Sequence, residues 1–220
     1  MIKLGKLFLI IILFPIYVLK SEESHVSDKK FFDNKNSWEI SLYYGLYSET
    51  DLLPILLRQD TNYRQSYIYT LAFSRPLDYK WRFLDFEFES NLAKHDGLMH
   101  HWEWNNFYIA KISEVFQLPL SFSVGEGISL ASQNPKLENK DVFFNPLTLE
   151  FQRDRIESRN LLNYVMVEME VGKRDWDFPR VFLRIHHRSG VFGFFCPPDP
   201  ACGSNFVSYG IRYPLDKLIP

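Results

Sequence analysis

The sequence predicts an all-β protein, an eight-stranded antiparallel transmembrane β-barrel of the outer-membrane type. Eight segments show the two-residue alternation of strands. Their polar faces are rich in charged side chains, which the dry core of a β-sandwich holds only at a large desolvation cost, whereas a barrel lumen holds them in pairs or in water. Aromatic residues make up 17% of the 220 residues, a content that suits the aromatic girdles of membrane barrels.

The N-terminal segment has the pattern of an export signal. Lys3 and Lys6 precede an apolar run over residues 7–19, which is shorter than the ~18–20 residues of a spanning helix. This pattern predicts a signal peptide over residues 1–20, with an uncleaved N-terminal anchor as the alternative. Residues 21–36 are polar and predict a disordered lead-in.

The barrel is expected over residues 37–213, with a C-terminal tail over 214–220. Its predicted strands are 37–48, 66–74, 81–93, 99–112, 120–131, 161–172, 180–189 and 205–213.

Two of these strands separate their side chains most clearly. The third has an acidic face of Asp85, Glu87 and Glu89, and the opposite face is apolar. The seventh has a polar face of Phe182, Arg184, His186 and Arg188, and an opposite face of Val181, Leu183, Ile185, His187 and Ser189. In a membrane barrel the charged faces line the lumen and the apolar faces meet lipid. Eight strands enclose an interior that side chains just fill, so no pore is expected.

The connections also suit a membrane barrel. Short turns are predicted at 75–80, 113–119 and 173–179, and long loops at 49–65, 132–160 and 190–204. Short periplasmic turns and longer external loops are typical of outer-membrane barrels. The short loop at 94–98 is an exception on the external side, and residues 147–156 predict a short helix within the third long loop.

Cysteine and histidine usage predicts a disulfide and no metal site. Cys196 and Cys202 flank a proline-rich loop, which in an exported chain indicates a local disulfide. His95 lies near the pair His100 and His101. Adjacent residues of a strand point to opposite faces, so only one of that pair could join His95, and a structural role is the expected one.

A candidate catalytic group lies at the end of the seventh strand. His187 and Ser189 are two residues apart on one face, with Cα atoms roughly 6.5–7 Å apart, which lets an imidazole reach a hydroxyl. Asn205 begins the neighbouring strand on the same outer face, where its amide oxygen can accept from the other ring nitrogen, as an orienting third group does in a nucleophilic triad. The alternative is a polar pair at the barrel rim.

The final hairpin resembles a known family of enzymes. The sequence Arg-Ile-His-His-Arg-Ser-Gly at 184–190, followed by Gly-Ser-Asn-Phe at 203–206 and Gly-Ile-Arg-Tyr at 210–213, is similar to the C-terminal hairpin of the PagL-type lipid A 3-O-deacylases and their acyloxyacyl-hydrolase-like relatives. The resemblance implies an eight-stranded outer-membrane barrel in which His187 is the base and Ser189 the nucleophile. It also implies removal of the ester-linked 3-hydroxyacyl chain at position 3 of lipid A.

This chain departs from that family at two positions. Ser204 or Asn205 stands where the family has an acidic residue, and Gly190 stands where the characterised enzymes commonly have asparagine. Asp199 and Glu126 are acidic alternatives for the third member. Glu126 falls on an otherwise apolar strand face, and a lumen position at a bulge is the favoured interpretation for it.

The first functional hypothesis is therefore an esterase of the Gram-negative outer membrane that acts on lipid A or a related acylated lipid. Ser189 attacks the ester, His187 serves as base, backbone N–H groups after Ser189 hold the oxyanion, and the acyl chain lies along Val181, Leu183 and Ile185. This chemistry needs no metal or other cofactor. The net charge of −2 indicates no nucleic-acid partner.

Two alternatives stay open. The first is a noncatalytic outer-membrane barrel whose external loops serve adhesion or envelope structure. The second is a soluble exported barrel that binds a lipid inside.

Overall fold

Eight antiparallel strands close into a barrel in the computed structural model, which describes residues 38–58, 61–145, 150–190, 195–196 and 202–218. The elements are β1 Glu39–Ser48, α1 Leu52–Arg58, β2 Tyr63–Trp81, β3 Leu84–Gly97, β4 Trp102–Ile112, β5 Leu120–Ala131, β6 Lys140–Asn145, β7 Glu150–Ile156, β8 Leu161–Val171, β9 Arg180–Ser189 and β10 Gly203–Pro214. Around the barrel the order is β1-β10-β9-β8-β5-β4-β3-β2, and β6 pairs with β7 in a separate hairpin. The predicted eight-stranded antiparallel barrel is confirmed.

The barrel is polar inside and apolar outside. On β9 the side chains of Phe182, Arg184, His186 and Arg188 are buried in the lumen, whereas Val181 and Leu183 are exposed on the outer face. The other strands repeat this arrangement, because successive side chains of a strand point to opposite faces. A protein surrounded by water buries its apolar side chains and exposes its polar ones. The reverse distribution seen here is the one that transmembrane barrels have.

Ion pairs occupy much of the lumen. The Arg184 guanidinium makes two bonds to the Glu89 carboxylate, at 2.5 and 2.9 Å, and a third to Glu168 at 2.7 Å. Arg212 bonds Glu170 at 2.6 Å and Glu168 at 3.0 Å. Bidentate, charge-assisted bonds of this kind offset the cost of taking the charges out of water. The barrel interior therefore contains an ionic network between strands on opposite sides of the barrel, beside buried clusters of aromatic and aliphatic side chains.

The two ends of the barrel differ. One end, called here the long-loop end, carries residues 49–62 with α1, residues 132–160 with the β6–β7 hairpin, and the loop after β9. The other, called the short-turn end, carries the two-residue turn at Arg82 and Phe83 and the connections at 113–119 and 172–179.

Three sequence predictions about connections were wrong. The turn expected at 75–80 lies at Arg82 and Phe83, because β2 continues past Pro76 through an irregular pairing with β3. The loop expected at 94–98 lies at 98–101, because β3 runs to Gly97. The helix expected over 147–156 is instead strand β7 from Glu150, paired with β6, a pairing that a local pattern cannot reveal.

The last described residues contact the connection between β8 and β9 at the short-turn end. A short 3-10 turn, Leu215–Lys217, follows β10, and the Lys217 ammonium donates to the backbone carbonyls of Asp175 and Trp176, at 2.9 Å each. The predicted signal peptide and lead-in lie outside the described residues. Among the described residues, no helix has the length and apolar character needed to cross a membrane.

Candidate active site on the outer face of the barrel

His187 and Asn205 face each other across the last hairpin, near the long-loop end. β9 and β10 pair antiparallel with His187 opposite Asn205 and Ser189 opposite Gly203. The ring Nδ1 of His187 lies 2.7 Å from the amide Oδ1 of Asn205. His187 and Ser189 are half-buried on the outer face, and Asn205 is 6% exposed. The structure therefore brings the three predicted site residues onto one outer surface.

A backbone carbonyl fixes the orientation of the Asn205 amide. Its Nδ2 donates to the carbonyl oxygen of Thr50 at 3.0 Å, and a carbonyl only accepts. The amide oxygen must then point at His187, where it accepts from Nδ1–H. This hydrogen bond leaves Nε2 of His187 as the basic nitrogen, which is the tautomer that a general base next to a serine requires.

Thr50 is itself held at two further atoms. Its backbone N–H donates to Ser48 Oγ at 3.1 Å, and its hydroxyl accepts from the backbone N–H of Asn62 at 3.0 Å. Ser48 is the last residue of β1 and pairs with Asn205 across the β1–β10 edge. Sequence reasoning missed Thr50, because the contact uses a main-chain carbonyl that leaves no residue-type signal.

The disulfide lies directly beside Ser189. Cys196 and Cys202 are bonded, as predicted, and they pack against buried Leu162. The N–H of Gly190 donates to the carbonyl of Cys202 at 2.9 Å. The expectation that backbone N–H groups after Ser189 hold an oxyanion is therefore wrong for Gly190, whose donor is already used. Residues 191–194 and Asp199 lie outside the described residues.

Glu126 and Asn163 extend the polar surface along the barrel. Asn163 pairs with Ser189 across β8 and β9 and donates to the carbonyl of Gly127 at 3.0 Å. Glu126 is half-buried on the outer face of β5, opposite Tyr108 of β4 and Val165 of β8. The lumen position favoured for Glu126 was wrong, because β5 keeps its alternation without a bulge.

The outer face of β9 below the site is apolar. Val181 and Leu183 are 52% and 47% exposed, whereas Ile185, the residue nearest His187, is 9% exposed. Val181 and Leu183 therefore present the surface expected of an acyl-chain contact, and Ile185 is largely covered.

An aromatic patch lies beside this surface. Tyr209, four residues along β10 from Asn205, packs on Tyr44 with ring centroids 5.7 Å apart. Tyr44 also contacts Tyr69 and Tyr67, at 5.3 and 5.8 Å. These four rings form an outward-facing tyrosine patch. Its Tyr209 lies roughly 13 Å from Asn205 along β10, because each residue of a strand advances the chain by about 3.3 Å.

A second group of titratable side chains occupies the lumen at the long-loop end. His95, His101 and Glu103 are buried, with one ligating atom from each within 4.8 Å of the others. His101 lies in the turn between β3 and β4, where burial and the neighbouring His95 lower the pKa of its ring to about 3. This group faces inward, away from His187 and Ser189.

The comparisons with known proteins concern the fold. The crystal structure of the outer membrane enzyme PagL is similar with a TM-score of 0.48 and 12% sequence identity, over 80% of this chain and 99% of that chain. The crystal structure of Neisserial surface protein A (NspA) is similar with a TM-score of 0.42 and 10% identity, over 80% of this chain and 96% of that chain. No protein-family model and no curated protein matches the sequence.

Proposed function

We propose that this chain is an integral outer-membrane barrel with esterase activity on lipid A or a related acylated lipid, and that Ser189 and His187 carry the reaction. One observation carries the proposal. Asn205 is locked between Thr50 and His187, and the lock sets the imidazole in the tautomer that a serine nucleophile needs. A polar pair at a barrel rim has no need of such an orienting contact.

Membrane insertion is supported by the inside-out distribution of side chains. Large apolar residues on the outer faces of the strands are between one third and two thirds exposed; examples are Leu42, Leu92, Trp104, Val124 and Ile211. At roughly 25 cal/mol per Å² of apolar area, leaving such a belt in water is costly. A lipid bilayer removes that cost.

The proposed reaction has two halves. His187 Nε2 takes the proton of the Ser189 hydroxyl as its oxygen attacks the ester carbonyl carbon, and the resulting tetrahedral intermediate collapses as the protonated His187 returns that proton to the departing sugar oxygen. This leaves the acyl group on Ser189. Water, deprotonated by His187, then releases the fatty acid and regenerates the serine.

The substrate class follows from position and resemblance. The site lies on the outer face, where it would meet an amphiphile that is already in the membrane, with the acyl chain along Val181 and Leu183. The sequence similarity of residues 184–213 to the lipid A 3-O-deacylases supports the 3-O-linked 3-hydroxyacyl chain as the one removed.

The experiment is mass spectrometry of lipid A from a Gram-negative host that expresses the protein. Loss of one 3-hydroxyacyl mass with the wild type, but not with Ser189→Ala or His187→Ala, supports the proposal. His100→Ala is the matched histidine control, because His100 is exposed at the same end of the barrel. Heat-modifiable gel mobility of the outer-membrane fraction verifies that each variant is folded and inserted.

One observation favours the second candidate, a noncatalytic barrel that acts through its long loops. The third member of the site is an amide where the resembling enzymes have a carboxylate, and a neutral amide lacks the negative charge that stabilises the imidazolium formed during the reaction. Unchanged lipid A with a folded, inserted wild-type protein, together with no hydrolysis of purified lipid A in detergent, would establish this alternative.

A further inference from the structure

The histidine cluster in the lumen has the composition and the burial of a metal site. His95, His101 and Glu103 come from the end of β3, the β3–β4 turn and the start of β4, and they are at most 5% exposed. The His95 and His101 rings stack with centroids 3.8 Å apart and planes at 17°. The short turn at 98–101 therefore brings together two imidazoles that lie six positions apart in sequence.

The ring nitrogens of this cluster are short of partners. Among the described residues, neither ring nitrogen of His101 has a hydrogen-bond partner, and Nδ1 of His95 has none either. Buried polar atoms are almost always satisfied, and an orphan atom often marks an absent ion or water. An imidazole nitrogen that carries no proton has a lone pair, which is what a metal ion binds.

Glu103 lies at the centre of the cluster, between two histidine rings. Its two carboxylate oxygens lie 2.8 Å from Nε2 of His95 and 2.8 Å from Nε2 of His186. The Nδ1 of His186 faces the hydroxyls of Tyr43 and Tyr164, at 3.2 Å each. Hydroxyl donors at Nδ1 suit a neutral His186 with its proton on Nε2, directed at Glu103.

The charge balance of the lumen shows a deficit of positive charge at this position. Among the described residues, seven carboxylates but only five lysine or arginine residues are buried. In the half nearer the short-turn end the carboxylates Glu39, Glu87, Glu89, Glu168 and Glu170 have a matching set of cations, Lys111, Arg180, Arg184, Arg212 and the half-buried Arg174, which reaches Glu39 at 3.2 Å.

In the other half one arginine serves two carboxylates. Nη1 of Arg188 bonds both oxygens of Glu138, at 2.7 and 2.9 Å, and only its Nε approaches Glu103, at 4.0 Å. Glu103 is therefore a fully buried carboxylate without a counter-charge of its own, and such a group is costly unless a cation or a metal ion pairs with it.

We propose that His95, His101 and Glu103 bind a divalent transition-metal ion of the zinc class inside the barrel. Two imidazole nitrogens and one carboxylate oxygen are a recurrent ligand set for Zn²⁺, with water in the fourth position. Ligand atoms around a tetrahedral Zn²⁺ lie about 3.3 Å apart, and the present atoms lie within 4.8 Å of one another. The two rings are stacked nearly parallel, so their in-plane lone pairs point at one ion only after the rings tilt out of the stack, and metal binding therefore requires this rearrangement.

A bound ion would supply a partner for the unpaired ring nitrogens and a positive charge beside Glu103. It uses the lone pairs of the two imidazoles, neutralises Glu103, and through the bond from Glu103 to His186 links the β3–β4 hairpin to β9. The site is independent of the proposed esterase, because its ligands point into the lumen whereas His187 and Ser189 lie on the outer face.

The test uses the full chain, folded in detergent micelles and carrying no histidine tag. After treatment with EDTA, the protein is titrated with Zn²⁺ in a calorimeter and with Co²⁺ under visible absorption. We expect about one Zn²⁺ per barrel and a Co²⁺ band typical of low coordination number. His101→Ala and Glu103→Gln should each weaken Zn²⁺ binding by at least about 100-fold. Loss of a residue that only supports a ligand costs about 10- to 100-fold, so a larger loss indicates a direct ligand.

His100→Ala is the matched control, since His100 is exposed and pairs with Asp96 at 3.1 Å. It should keep full affinity. His101→Asn serves as a second variant if the alanine protein does not fold, which heat-modifiable mobility reports. Metal content after folding in the presence of Zn²⁺ is also measured, so that slow entry into a closed lumen is not mistaken for absence of a site.

Each contrary result overturns the proposal. No bound Zn²⁺ by either route, equal binding by the wild type and the His101 variants, or loss of binding on His100→Ala would each do so. Lipid A hydrolysis by Ser189 is measured separately, and neither result decides the other.

Discussion

The backbone N–H of Gly190 donates to the carbonyl of Cys202 at 2.9 Å, and a Cβ built at Gly190 would lie 2.7 Å from Cys202 Sγ and 3.2 Å from Cys196 Cβ. The disulfide thus packs on the residue that follows Ser189, and only glycine leaves room for it. This contact gives a physical reason for the glycine at a position where the resembling deacylases commonly have asparagine. In this chain, the disulfide takes the space that a side chain at position 190 would occupy.

Gly190→Ala should therefore destabilise the barrel by about 1–3 kcal/mol, the usual cost of overpacking, and should lower lipid A hydrolysis by displacing the backbone next to Ser189. Urea unfolding followed by tryptophan fluorescence measures the first effect. In a Cys196→Ala/Cys202→Ala background the steric conflict is removed, so the penalty of Gly190→Ala should shrink by most of its size. An unchanged penalty in that background would contradict the steric explanation.

Asn205→Ala should reduce kcat for ester hydrolysis by about 10²-fold, within the range that a well-placed general base contributes, and should leave KM nearly unchanged. The reason is that His187 loses the acceptor that holds its proton on Nδ1. Val207→Ala, two residues along the outer face of β10, is the matched control and should keep its activity. Equal activity in the two variants would show that Asn205 only begins a strand.

The alternation of β9 and β3 predicted the lumen and the outer face correctly, because charged side chains leave few choices about which face avoids lipid. The connections were predicted less well. The sequence Arg75-Pro76 predicts a turn, yet strand β2 continues to Trp81. The β6–β7 hairpin depends on pairing between segments that carry no strong period of their own.

The hairpin site could be placed from sequence because His187, Ser189 and Asn205 lie on two paired strands whose register follows from alternation. The contacts that orient it could not be placed. Thr50 acts through its carbonyl oxygen from a loop that is distant in sequence. The stacking of His95 on His101 depends on where β3 ends, which was misplaced by a few residues, and so the lumen cluster was not assembled from the sequence.

Arg184→Leu should destabilise the barrel by about 3–5 kcal/mol, because it leaves the buried Glu89 and Glu168 without their principal cation. The measurement is the urea midpoint in phospholipid vesicles. Arg82→Leu, at an exposed turn, removes the same charge without uncovering a buried carboxylate and should change stability by less than about 0.5 kcal/mol. Equal effects of the two changes would show that the lumen tolerates unpaired carboxylates, for example through water.

Glu126→Leu should raise stability in lipid vesicles by about 1–2 kcal/mol, since a carboxyl group on the outer face costs less than a lysine or arginine but more than an apolar residue. Hydrolysis should change by no more than a few-fold. Asn163, which pairs with Ser189 across β8 and β9, keeps its hydrogen bond to the Gly127 carbonyl. The position of Ser189 therefore does not depend on Glu126. Glu126→Gln removes the charge and keeps the size of the side chain. A loss of hydrolysis near 10²-fold in both variants, with unchanged stability, would instead make Glu126 the acidic member of the site and would move the orienting role away from Asn205.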